Sequence, residues 1–469
     1  MRKKIGLSVL LLFVAFMGNA QNDFTLYQMK AVPQVVSVNP AARPFSKLNI
    51  GLPLVSAIYL GVGNSGFAYE DFVKINSDNS LSIEMDDAIA QMNERNRLSA
   101  YLRTDIFSLG FKVGNNYISM GVTDKINLNF TYPKDLFKLA WEGNASSDFI
   151  GQRIAFDGLG VDFLHFTQYS FGINRRVTPS LSIGGRINYL VGHEALYTKQ
   201  SDIGITTDAY NYGITADASI EINTSIDTAV TKTFIDSNST QQDLINFYVK
   251  PSTLQNYFVG SSNNGYSLDF GFNYNLFDVV TFSGSVIDLG SITWTAHTAN
   301  YTVEDKEFTF EGINLFDIVD PLDSTSSGPS NAFVGPLLDS VLSTFTDIQR
   351  TTGDFSTALN TQIYLGVQYH LSNRLRVGVL SRSQIVRGKM VTSSSVSLNT
   401  TIRNIISLSA NYSIQGGSYG NIGLGMSASL GPLQIYVITD NVMSFIQWYN
   451  TRVVHTRFGL NFTFGKDYE

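Results

Sequence analysis

The sequence predicts an all-β protein: a closed antiparallel transmembrane β-barrel of about 14 strands, within a range of about 12–16, with short helices in long outer loops and a plug-like N-terminal segment. Three observations lead there. Apolar and polar residues alternate along most of the chain, in runs that reach nine to fourteen residues. Soluble strands usually have about 5–6 residues, whereas a tilted membrane strand needs about 9–11. Tight connections alternate with long ones, the habit of outer-membrane barrels. An apolar stretch of export-signal type opens the chain, and after Ala20 no apolar run approaches the length of a membrane helix, about 18 residues. A strand-built protein in a bilayer must close on itself, because hydrocarbon offers no partner to an open sheet edge.

The elements follow in order. Residues 1–20 read as a cleaved signal peptide: basic MRKK, apolar IGLSVLLLFVAFMG, and small residues before Gln21. Residues 21–46 are too irregular and too Pro-broken for a strand and are expected as a periplasmic tail or a plug in the lumen. Residues 47–469 form the barrel. Its strands are expected to begin near residues 47, 98, 117, 161, 180, 264, 279, 360, 374, 403, 419, 433 and 453. That makes thirteen, and single-chain bacterial barrels have even numbers. A further strand is therefore expected among 61–97, 202–224 or 385–402.

Register follows from the two-residue period of a strand. In NNYISMGVTDKINLNF (115–130), Ile118, Met120, Val122, Ile126, Leu128 and Phe130 form a lipid-facing row. Ser119, Gly121, Thr123, Lys125, Asn127 and Asn129 form the lumenal row. Asp124 interrupts the apolar row and is expected near the outer rim, where a charge costs little. In the last strand, Phe458, Leu460 and Phe462 are expected outward and Gly459 and Asn461 inward. Helical spacing occurs at 133–141, at 336–348 and, more weakly, at Met85, Ile89 and Met92. The polar stretch 225–262 reads as a mobile outer loop.

Composition narrows the function. The net charge of −7 argues against nucleic-acid binding, and the lack of cysteine excludes disulfides, thiol catalysis and Cys-ligated zinc. The five histidines fall in no HExxH motif and beside no GxSxG. His193 with Glu194, and His370, read as ordinary polar lumen or rim residues. No catalytic, cofactor-binding or metal-ligating residue is expected. Arg186, Asp269, Asp288, Arg376 and Arg457 are candidates for a polar network in the lumen, with packing as the plainer role and selectivity as the alternative.

Three segments resemble known barrels. YQMKAVPQVVSVNPAARP (27–44), SVIDLGSITW (285–294) and GPLQIYVITDNV (431–442), followed by RFGLNFTFG (457–465), look like an uncharacterised Bacteroidota outer-membrane barrel family, a domain of unknown function, similar to PorP/SprF-like and more distantly to FadL-type barrels. The resemblance to FadL-type proteins implies an N-terminal hatch, in which Asn39, Pro40 and Ala41 would hold the plug. It implies a non-enzymatic outer-membrane protein, a transport or envelope-assembly component. The alternatives are a diffusion channel for hydrophobic solutes and a structural partner of a type IX secretion or gliding machine. Its expected partners are outer-membrane lipid and either a hydrophobic small molecule or secretion or motility proteins.

Overall fold

The computed structural model describes residues 23–226, Tyr257, 262–310 and 349–466, apart from 77, 79, 278, 373, 404, 416 and 417. The expected signal peptide, the apolar stripe of 336–348 and most of the 225–262 loop lie outside the described residues.

Fourteen strands close into one antiparallel barrel. In chain order they are β1, in two pieces, Ser46–Gly51 and Ile58–Asn64; β2 Arg95–Val113; β3 Asn116–Pro133; β4 Gly160–Arg176; β5 Leu181–Thr207; β6 Asn264–Leu276; β7 Val280–Trp294; β8 Gln362–His370; β9 Leu375–Val386; β10 Lys389–Ile402; β11 Ile406–Gln415; β12 Ser418–Leu430; β13 Leu433–Thr439; and β14 Val453–Lys466. Each pairs with its sequence neighbour, and β14 pairs with both pieces of β1. The strand absent from the thirteen expected starts is β10, inside the stretch 385–402. Two features hid it. Only Arg387-Gly388 joins it to β9, both at positive φ, as a two-residue hairpin turn requires. Its outward row carries Thr392, Ser394 and Thr400 beside Val396 and Leu398, so the alternation is faint.

The barrel is inside-out relative to a soluble protein. Along β10, Ser395, Ser397 and Asn399 are 4 %, 4 % and 2 % exposed, while Val396 and Leu398 are 52 % and 48 % exposed. The same inversion runs along β6, where Tyr266, Leu268, Phe270, Phe272 and Tyr274 are exposed and Ser267 and Asp269 are buried. Water would penalise such a surface, whereas a bilayer favours it. In β14, Phe458, Leu460 and Phe462 face outward and Gly459 and Asn461 inward, as the period requires.

One end of the barrel carries tight turns such as Gly114-Asn115, where Gly114 takes φ 56. The other carries the long connections. There β5 runs past the end of β6, and its last residues pair with the ribbon strand Ile214–Ser225, which pairs in turn with Thr298–Phe310. β1 is broken at Pro53, which cannot donate to a ladder, and Leu54 sits at φ 65.

The hydrophobic core lies within the barrel. The N-terminal segment forms helix α1, Phe24–Gln28, and a 3-10 turn, Pro33–Ser37. Its Phe24, Leu26, Met29, Val32, Val35 and Val38 cluster with the wall residues Ile287, Tyr364, Leu380, Tyr436 and Ile438. Two of the expected loop helices are present, α2 Met85–Gln91 and α3 Lys134–Glu142, and they meet where Trp141 Nε1 donates to the Asp86 carboxylate at 2.9 Å.

Candidate functional site: the lumen and its N-terminal segment

The site begins with a backbone problem. Residues 23–45 form little regular structure, so their N–H and C=O groups need partners once enclosed. Inward-facing side chains supply them. Asp440, at the end of β13, accepts from Phe24 N at 3.2 Å and Thr25 N at 2.8 Å and bonds the Thr25 hydroxyl. Gln434 donates to Ala31 O at 2.7 Å, and Ser285 to Val38 O at 2.6 Å. Arg186 donates to Val36 O and Ser37 O at 3.2 and 3.1 Å. Side chains of the segment reach outward in return. Gln28 accepts from Gln368 at 2.8 Å, Gln34 exchanges bonds with Asn461 at 2.9 and 3.1 Å, and Tyr27 stacks on Tyr364.

Asn39, Pro40 and Ala41 come together as a turn. Asn39 Oδ1 accepts from Ala41 N at 2.9 Å, and Asn39 Nδ2 donates to Tyr27 Oη at 3.1 Å. The wall grips the turn through Asn273, which donates to Ala41 O at 2.6 Å, and Asn174, which donates to Pro40 O at 3.3 Å. Two wall glycines make the approach possible. A Cβ at Gly184 would lie 2.2 Å from Pro40 O, and one at Gly271 would lie 2.3 Å from Asn39 Oδ1.

Three of the five expected network residues meet directly or through one contact. The fully buried Asp269 accepts from Arg186 Nε at 2.5 Å, Asn188 at 2.9 Å and Asp288 N at 2.6 Å. Asp288, at φ 58, pairs with Lys125 at 3.1 Å. Arg457 belongs to a different pair: it holds Asp23 of the N-terminal segment at 2.7 Å, with Arg103 at 3.5 Å on the other side. Arg376 stands apart from both, beside Lys30 near the tight-turn end. The expected single network is therefore two ion groups and a separate cation. Asp23, Lys125, Arg103 and Asp440 complete the set. Asp440 had a visible signal, as the polar residue that ends the apolar row of GPLQIYVITD.

Burial, aided by the neighbouring Arg376 and Arg176, pushes the Lys30 ammonium down to about 8, and burial pushes the Tyr27 phenol up. Two cavities flank the segment, about 70 Å³ beside Gln34 and Phe107 and about 50 Å³ between Tyr59, Lys125 and Arg457. Both fall below the roughly 300–1,000 Å³ of small-molecule sites.

His193 and Glu194, expected in the lumen or at its rim, lie instead on the outer side of the wall with Asp124. A bulge in β5 between Gly192 and Glu194 turns His193 onto that side, where it bonds Thr167. His370 bonds Thr281 at 3.0 Å.

Solved structures of similar layout include the Pseudomonas putida toluene transporter TodX (10 % identity, 95 % of this chain and 94 % of that chain, TM-score 0.38), the Ralstonia pickettii toluene transporter TbuX (8 %, 97 % and 98 %, 0.38) and a Pseudomonas aeruginosa FadL homologue (8 %, 96 % and 100 %, 0.38). At this similarity the likeness carries no argument about a solute. A comparison with curated proteins finds no match. One family profile, described as "Family of unknown function (DUF5723)", matches residues 40–440.

Proposed function

For a chain that belongs to the Family of unknown function (DUF5723), we infer from the lumen that it is an outer-membrane barrel closed by its own N-terminal segment, a transport component whose path opens when that segment leaves its seat. The observation that carries this reading is the fastening of Phe24–Ala42 to β5, β6, β7, β8, the end of β13 and β14 by inward-facing side chains. The apolar outer face supports a place in the outer membrane, with the tight turns in the periplasm and the long loops outside. The two cavities that flank the segment are too small for a solute of ordinary size, which supports a path that opens when the segment is displaced. The role of partner to a secretion or motility machine gains no support from the described residues.

Planar-bilayer conductance tests the reading. Protein lacking residues 21–46 should give larger single-channel currents than the full-length chain. The double variant Asp23→Asn, Asp440→Asn, which keeps the segment but weakens its anchors, should give intermittent openings. Equal currents from all three, with closed barrels verified by heat-modifiable gel mobility, would refute it.

A further inference from the structure

Asp124 interrupts an otherwise apolar outward row, and the structure gives it company. Three neighbouring strands bring polar groups to one point on the outer face of the wall. β3 contributes Asp124, β4 contributes His165 and Thr167, and β5 contributes His193 and Glu194. The point lies near the level where β6 begins, at Asn264, on the long-loop side of the barrel. Asp124 Oδ2 lies 3.3 Å from His165 Nε2. Ligand atoms of Asp124, His165 and His193 all lie within 4.8 Å of one another. Two of the chain's five histidines thus share one small site, with their rings 4.7 Å apart.

We propose that Asp124, His165 and His193 bind one divalent transition-metal ion of the zinc class on the outer wall of the barrel.

Four features carry this. The donor set of two imidazoles and one carboxylate, with a fourth position for water or an outside ligand, is what tetrahedral zinc sites use. Bonds of about 2.0–2.1 Å in a tetrahedron place neighbouring donor atoms about 3.3 Å apart. The Asp124–His165 pair already has that spacing, so only His193 must move inward. Glu194 accepts the other ring nitrogen, His165 Nδ1, at 2.5 Å. A carboxylate behind a histidine fixes the tautomer that leaves Nε2 free for a metal, and such pairs accompany metal-bound histidines. Finally, Asp124 and Glu194 put two carboxylates on a face that is otherwise apolar. A divalent cation would neutralise both. The groups are reachable, with side chains of Asp124 and His165 19 % and 15 % exposed. Thr167 and Tyr257 occupy the remaining hydrogen-bonding directions: Thr167 Oγ1 donates to Asp124 at 3.1 Å and bonds His193 Nε2 at 2.8 Å, and Tyr257 Oη donates to Asp124 at 2.7 Å and lies 3.1 Å from His165 Nε2. The threonine and tyrosine contacts to the two Nε2 atoms are the ones that an ion would replace. No local spacing motif betrays the site, because its ligands meet only across three strands.

The test uses untagged full-length protein in detergent, stripped with EDTA and dialysed against Zn²⁺ alone. One equivalent should remain, and Co²⁺ alone should give the intense visible bands of a tetrahedral centre. Asp124→Asn, His165→Gln and His193→Gln should each weaken Zn²⁺ by about 100-fold or more, and Glu194→Gln by about 10–100-fold. His297→Gln, outside the cluster, should change nothing. Heat-modifiable mobility verifies that each variant forms a closed barrel. If the Asp124 or His165 variant does not close, His193→Gln decides, since the bulge residue takes no part in the ladder. Retention of well under one equivalent by closed wild-type protein would overturn the proposal. So would an equivalent that survives His193→Gln, or only the pale bands of six-coordinate cobalt.

Discussion

Gly184 and Gly271 show how a single missing methyl can decide whether a segment seats. Alanine at either position would drive its Cβ into Pro40 O or Asn39 Oδ1, and the backbone oxygen of Pro40 has no rotamer by which to yield. Gly184→Ala and Gly271→Ala should therefore leave the barrel closed while exposing residues 21–46 to an added protease. Limited proteolysis read by mass spectrometry checks this, with heat-modifiable mobility as the control. Lys30 adds a pH dependence. Its ammonium is held at about 8 against an ordinary 10.5, so above about pH 8 the seated segment binds fewer protons than the released one. Seating then tightens as pH rises from about 8 toward 10.5, and the cost of the buried charge is full below about 8. Protease protection should rise across that window, and Lys30→Gln should flatten the rise. Asn39-Pro40-Ala41 could be singled out from the sequence. Its glycine seats could not, since a glycine in a strand looks the same whether it faces a turn, lipid or nothing.

Strands were the most legible elements, because a wall between lipid and a polar lumen demands strict alternation. β10 escaped where serine and threonine on the outward row blurred the contrast. The register of β14 makes a sharp prediction. Leu460→Arg should cost roughly 2–4 kcal/mol if the residue lies near the bilayer midplane, measured by urea titration of protein folded into lipid vesicles. The inward neighbour of Leu460 does not face open water. Asn461 is 1 % exposed and exchanges hydrogen bonds with Gln34. Asn461→Ala should thus leave the buried Gln34 amide short of a partner, at a cost of about 1–3 kcal/mol, felt in protection of the N-terminal segment more than in barrel closure. If Asn461→Ala shifted the urea midpoint more than Leu460→Arg, the inside and outside of β14 would be reversed. The polar pairs across strands were less legible than the strands, because alternation says which way a residue points and not which residue it meets.

At the scale of the molecule, barrel closure and the docking of the N-terminal segment are linked through the chain ends. The anchors of α1 are Asp440, just past β13, and Arg457 of β14, more than four hundred residues downstream of Thr25 and Asp23. These contacts have nearly the largest sequence separation the chain allows. Segments that meet only at such separation meet late, since loop-closure entropy must be overcome first. The seat of α1 is complete only once the C-terminal strands that carry Arg457 and lead to Asp440 are in place. The expected order is a hairpin array, then a ring, then a ring with its N-terminal segment seated. In a refolding time course into vesicles, the compact gel form should appear before residues 21–46 become protease-resistant, and the two should never appear in reverse. A chain stalled before its final hairpin would carry a loose, cleavable N-terminus, so that cleavage of this tail tells an unfinished barrel from a finished one.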